Sequence, residues 1–126
     1  MRRTFQGSLV AMVTPFRDGQ VDEGKLRELV EFHVANGTDG LVPCGTTGEG
    51  ATLRPEEHTL VIETVVRVAA SRVPVIAGCG TNDTRTTIEG ARRAREAGAQ
   101  ALLVVTPYYN KPNRSGMIAH FAAFAE

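Results

Sequence analysis

The sequence holds 126 residues, 42% hydrophobic and 22% charged, and its 14 basic side chains balance its 14 acidic ones. That length allows one domain at most, the composition is that of an ordinary globular chain, and the zero balance argues against non-specific nucleic-acid binding, which needs a basic face. Only two of the cations, Lys25 and Lys111, are lysines; the rest are arginine, which does no amine chemistry.

The first predicted element is the apolar run at residues 8–13 (SLVAMV). The stretch before it is basic, so the N-terminus has the outline of a leader. The run stops at Thr14-Pro15, which is too short for an export signal. No apolar stretch approaches the length of a membrane span. A helix follows at residues 22–37, with Leu26, Leu29, Val30 and His33 or Val34 on one stripe and Asn36-Gly37 closing it. Residues 40–44 (GLVPC) read as a second strand. Residues 54–72 then predict a helix with Pro55 at its first position, Glu56 and Glu57 in its first turn, and an apolar face through Leu60, Val61, Val65, Val68 and Ala69.

A third strand is expected at residues 73–79 (VPVIAGC), then a helix opening at Asp83 or Thr84 and ending at Gly98. The fourth strand is at residues 101–107 (ALLVVTP), and the fourth helix begins at Ser115. All four runs are rich in large aliphatic residues without alternation, so they read as continuously buried parallel strands. A βα unit recurring roughly every thirty residues means a doubly wound sheet or a (β/α)8 barrel. No GxGxxG or phosphate loop opens the first helix. Polar residues instead crowd the ends of strands two to four: Thr46-Thr47, Thr81-Asn82 and Tyr108-Tyr109-Asn110. Chemistry spread over several strand C-termini is the habit of the barrel, which takes roughly 250 residues.

Two stretches stand out chemically. GTTGEG at residues 45–50 sets two hydroxyls and a carboxylate among three glycines. Successive glycine-flanked amides after a strand make a concavity for an anion. The same residues also fit a plain tight βα turn, and Glu49 fits either an inner acceptor or a solvated loop charge. TPYYNKPN at residues 106–113 carries the only tyrosines, Tyr108 and Tyr109. A phenol can donate and accept within one proton relay; both rings could equally be packing groups, one buried and one at an interface.

His58 and His120 sit on helices and read as surface or capped histidines rather than bases, and His33 as part of an inner face. Lys25 and Lys111 read as surface cations, so no lysine here suits a Schiff base. Cys44 and Cys79 each end a strand, with no CxxC and no histidine pair nearby. They are expected to be free thiols in a reducing cytoplasm, not metal ligands.

Taken together, GSLVAMVTPF, GLVPCGTTGEGATLRPEEH, VPVIAGCGTNDT and LLVVTPYYNKPN resemble, in order and spacing, the dihydrodipicolinate synthase family. These are pyruvate-dependent class I aldolases, and N-acetylneuraminate lyase is a relative. The resemblance implies an α/β fold of the (β/α)8 TIM barrel family, with residues 1–126 forming the N-terminal half, about the first four βα units. It implies a cytoplasmic homo-oligomer, a dimer or tetramer, working in diaminopimelate and lysine biosynthesis without a cofactor. Pyruvate would be held as a Schiff base on a lysine of a later strand and condensed with aspartate semialdehyde. Thr47 and its amide would bind the pyruvate carboxylate. Thr46 would bind substrate and relay protons, and Tyr109 would complete that relay from the neighbouring subunit.

The family's lysine-feedback pocket is matched at His58, Asn82 and Tyr108 but departs at Pro55 and Thr86, where a histidine and a glutamate are usual. That implies weak feedback. Arg54 stands where a serine helix cap is common. Two alternatives remain beside this reading: another Schiff-base keto-acid aldolase of the family, or a non-catalytic half-barrel that assembles through its open strand edges.

Overall fold

The computed structural model describes residues 5–125. The basic start of the leader-like stretch, Arg2 and Arg3, lies outside the described residues. All four expected strands form, each only three residues long: β1 (Leu9–Ala11), then β4 (Gly40–Val42), β5 (Ile76–Gly78) and β6 (Ala101–Leu103). Between the first two lie short strands β2 (Phe16–Arg17) and β3 (Gln20–Val21). The helices are α1 (Glu23–Ala35), α2 (Pro55–Ala69), α3 (Thr84–Glu96) and α4 (Arg114–Ala125).

Prolines bound the two inner strands, and a proline gives no N–H to a ladder. Pro43 follows β4, and Pro74 stands just before β5. Leu9 pairs with Gly40 and Ala11 with Val42, both strands parallel. Ile76 pairs with Ala101 and Gly78 with Leu103, also parallel. The two pairs join through the parallel bridge of Leu41 with Val75. Gly78 N donates to Pro43 O at 2.9 Å across the same seam. The result is a parallel arc in the order β1-β4-β5-β6.

Burial departs from the expected pattern at the two ends of this arc. β4 and β5 are buried at all three positions. Leu9 and Ala11 of β1 are exposed, and Leu103 of β6 is 52% exposed. An outer strand has a neighbour on one side only, so continuous burial holds for the two inner strands alone. The β2–β3 hairpin was not expected either. Its turn is Asp18-Gly19, both with positive φ (51° and 76°), and Asp-Gly is a favoured pair for a two-residue hairpin turn.

The helices form where their caps and stripes place them. Asp22 accepts Lys25 N at 2.9 Å and opens α1, whose Leu26 and Val30 are fully buried. Asp83 accepts Thr86 N at 2.7 Å and opens α3. On α2 the buried face includes Ile62 and Thr64 as well as Val61, Val65 and Ala69, while Leu60 and Val68 are only half-buried. Arg54 offers no acceptor to the first turn of α2. Glu57 reaches back instead, accepting Arg54 N and its guanidinium, each at 2.9 Å. α4 starts at Arg114, one residue before the expected Ser115, and Asn113 Oδ1 accepts Gly116 N at 2.9 Å as its cap. The core packs Met12, Leu41, Val75 and Ala77 of the arc against Leu26, Val30, Val61, Ile62 and Val65. No helix among the described residues is long and apolar enough to cross a membrane.

Candidate active site at the strand C-termini

The segments that follow β4, β5 and β6 converge on one cleft of about 790 Å³. Its wall includes Cys44, Gly45 and Thr46 after β4, Cys79 to Thr81 after β5, and Val104, Val105 and Tyr108 after β6. The β4 loop is folded tightly on itself: Gly48 N and Gly50 N both donate to Gly45 O at 3.1 Å, and Glu49 N donates to Thr46 O at 3.1 Å. Among the described residues, the amides of Thr46 and Thr47 donate to no acceptor. Two adjacent free donors at a strand end suit a small oxyanion.

Close backbone approach accounts for the glycines. A Cβ at Gly78 would lie 2.7 Å from Gly45 N, and one at Gly48 would lie 2.9 Å from Met12 O. A side chain at Gly78 would push the β4 and β5 strand ends apart, and one at Gly48 would push the loop off the end of β1. The loops also hold non-glycine residues with positive φ: Cys44 at 60°, Glu49 at 55°, Tyr109 at 66° and Lys111 at 42°. Such geometry costs energy and concentrates where a fixed shape is needed.

The predicted site residues fall in different places. Thr46 is on the cleft wall, and Glu49 lines it too. Thr47 is exposed at the lip and is not part of that wall. Tyr108 lines the cleft, whereas Tyr109 is 90% exposed and does not line it. The structure therefore brings Thr46 and Tyr108 together within one chain, and leaves Thr47 and Tyr109 outside. Lys25 is exposed on α1 with Nζ 2.7 Å from Glu28 Oε2, and that bond raises its pKa. Lys111 is exposed in the tyrosine loop. Neither lines the cleft. Among the described residues, no cluster of His, Cys, Asp and Glu could hold a metal ion.

One residue against the glycine loop was not singled out in the sequence, and two histidines lie deeper than a surface reading places them. Thr14 is buried, and its Oγ1 donates to Gly48 O at 2.7 Å, tying the segment after β1 to the glycine loop. His58 is no surface group. It lines the cleft with Nε2 2.7 Å from Gly78 O and Nδ1 buried without a partner. Burial lowers its pKa, the Gly78 bond works against that, and the charge of Arg93 lowers it further. His120 is likewise not at the surface: it is 4% exposed, with Nδ1 2.8 Å from Thr84 Oγ1. The Thr14 contact and the depth of both histidines depend on partners distant in sequence. Cys44 and Cys79 also line the cleft, and burial pushes their thiols up to about 12 and about 11.

A parallel arc of βα units with its polar residues at the strand C-termini matches the strand-end face of a (β/α)8 barrel. The comparisons give the family. Residues 4–126 match the model of the dihydrodipicolinate synthetase family, and the chain belongs to it. It is 60% identical over 122 residues to the 4-hydroxy-tetrahydrodipicolinate synthase of Geotalea daltonii, covering 97% of this chain and 42% of the relative. The crystal structure of dihydrodipicolinate synthase from Aquifex aeolicus superposes with a TM-score of 0.94 at 53% identity, over 96% of this chain and 41% of that one. The chloride-inhibited synthase from Acinetobacter baumannii, complexed with pyruvate, gives 0.94 at 53%, over 97% and 42%. The chain thus spans about two-fifths of the length of the relatives it matches.

Proposed function

We propose that this chain carries the pyruvate-binding and proton-transfer portion of a Schiff-base enzyme, a 4-hydroxy-tetrahydrodipicolinate synthase. In this reading a lysine beyond the 126 residues attacks the pyruvate carbonyl and water leaves. The imine loses a methyl proton to give an enamine, whose carbon attacks the aldehyde of aspartate semialdehyde. The Thr47 hydroxyl and the free amides of Thr46 and Thr47 hold the pyruvate carboxylate. Thr46 Oγ1 passes protons at the reacting centre. Tyr109 projects from its own chain to serve the cleft of a second copy, so the working form is a homo-oligomer. Such an enzyme would serve diaminopimelate and lysine biosynthesis in the cytoplasm.

The observation that carries this reading is the pair of unused amides at Thr46 and Thr47, beside a cleft that Thr46 lines. The pyruvate complex of the Acinetobacter baumannii relative supports the ligand class. Pyruvate titrated into isotope-labelled chain should shift the Thr46 and Thr47 amide signals and leave those of α1 in place. Shifts that avoid the 45–50 loop would defeat the reading. Borohydride added with pyruvate should leave the mass of this chain unchanged, because neither Lys25 nor Lys111 lies in the cleft.

The exposed outer strands favour one further reading, a half-barrel that assembles through its edges without catalysis. Size-exclusion chromatography separates the two: a sharp dimer that melts cooperatively supports assembly, and ill-defined aggregate supports the catalytic part.

A further inference from the structure

The buried imidazole of His120 plays no part in the chemistry proposed above. It is 4% exposed on α4, where Phe121 and Phe124 meet it edge-on at centroid distances of 5.4 and 5.7 Å. An apolar ring would fill that space as well. The imidazole instead keeps Nε2 buried without a partner, which costs stability. Its single hydrogen bond joins Nδ1 and Thr84 Oγ1, 2.8 Å apart across 36 residues. Thr84 is the first residue of α3, directly after its cap Asp83.

This bond fixes one end of the tyrosine loop. Asn113 caps α4, accepting from Ser115 Oγ and Gly116 N at 2.9 Å each, so the loop leads into a firmly started helix. His120 then seats that helix on α3. The middle of the loop has its own tie: Asn110 Nδ2 donates to Asn82 O at 3.0 Å, in the segment before α3. Tyr109 and Lys111 flank Asn110, and both have positive φ, which side-chain-bearing residues adopt only when held.

We infer that His120 and Asn110 are positioning residues: two ties to the start of α3 that hold Tyr108 and Tyr109 in a strained loop, so that helix α3 and the loop move as one body. Thr84 Oγ1 is the partner in one tie and the Asn82 carbonyl the acceptor in the other. The placement of the tyrosines stands without the catalytic reading. Only its consequence for turnover rests on that reading.

The chain has no tryptophan and only these two tyrosines, so its near-ultraviolet tyrosine circular dichroism reports this loop alone. Thr84→Val keeps the shape of the side chain and removes the hydroxyl. It should lose most of the tyrosine signal while the far-ultraviolet helix signal stays. Thr84→Ser should restore it, and Asn110→Ala should reproduce the loss. An unchanged tyrosine signal in Thr84→Val overturns the inference. So does equal loss in Thr84→Ser, or loss of helix together with the tyrosine signal, since either makes the contact merely structural. In a full-length enzyme Thr84→Val should lower kcat and leave KM for pyruvate close to the parent value. If the spectrum changes and kcat does not, the ties stand and the relay reading fails.

Discussion

Thr14 and Gly48 are joined by a hydrogen bond of 2.7 Å, from the buried threonine hydroxyl to the carbonyl of a glycine 34 residues on. It is the link between the end of β1 and the glycine loop, and it satisfies a carbonyl held at the bottom of that loop. Thr14→Val keeps the volume and strands the Gly48 carbonyl. An unpaired buried acceptor costs about 1–3 kcal/mol. Urea unfolding should show that loss, and Thr14→Ser should recover most of it. Equal stability of Thr14→Val and the parent would mean that the bond contributes nothing.

His58 makes stability depend on pH in a defined direction. Burial holds its folded pKa below the ordinary 6.5, so the folded ring stays neutral where the unfolded one takes a proton. From 6.5 down to that lower folded value the unfolded chain binds more protons, so stability falls as pH falls. Below the folded value this contribution is flat. His58→Gln keeps an N–H within reach of Gly78 O and removes the titration. Its urea midpoint should therefore drop less than the parent's between about pH 7 and pH 5. A parallel drop in both proteins would rule the group out.

The two cysteines should be chemically silent in the folded chain. With burial raising Cys44 to about 12 and Cys79 to about 11, almost no thiolate exists at neutral pH. Ellman's reagent should label neither in buffer and both in denaturant. Rapid labelling of the folded chain would show that the cleft floor is open.

At the start of α2, Arg54→Ser should stabilise the protein. A serine there can accept an amide of the first turn, worth about 1 kcal/mol, while the Arg54–Glu57 pair it removes has its guanidinium largely in solvent and is worth less. Glu57 keeps its bond to the residue 54 amide. Thermal melting should move upward; a lower midpoint would assign Arg54 a role that its contacts do not reveal.

For a full-length enzyme, weak lysine feedback is expected. Pro55, Thr86, His58 and Tyr108 line the same cleft, and Thr86 Oγ1 is already spent on Asp83 Oδ2 at 2.6 Å. Glu49 is the one carboxylate on the described wall, so an ammonium group finds no counter-charge at position 86. Inhibition by micromolar lysine in a steady-state assay would contradict this.

Much of this was legible in the residues. Asp22, Asp83, Pro55 and Gly98 mark helix ends by local chemistry, and local chemistry survives folding. The strand positions were equally plain, because SLVAMV and its three counterparts are apolar without alternation. Their extents were not. Pro43 and Pro74 join the β4–β5 seam through their carbonyls alone, and how far each ladder runs depends on the neighbouring strand. The uneven burial of Leu9 and Leu103 depends on having a neighbour at all. In the site, GTTGEG announced itself through its glycines, whose reason is the close approach of Gly78 to Gly45. Thr14 gave no such signal, and for His58 and His120 the sequence did not show their burial. Each acts through a partner far along the chain, so the roles of these side chains exist only once βα units are stacked. The Asp18-Gly19 hairpin was readable and simply passed over.

The uncovered outer strands carry a practical consequence. Leu9, Val13, Leu103 and Val105 present apolar side chains on the two borders of a parallel arc. Bare strand borders recruit other chains. The isoelectric point is near 6.8, so at neutral pH two colliding molecules meet with no mutual repulsion. Colloidal behaviour should therefore improve steadily in alkaline, low-salt buffer, where every molecule carries the same sign.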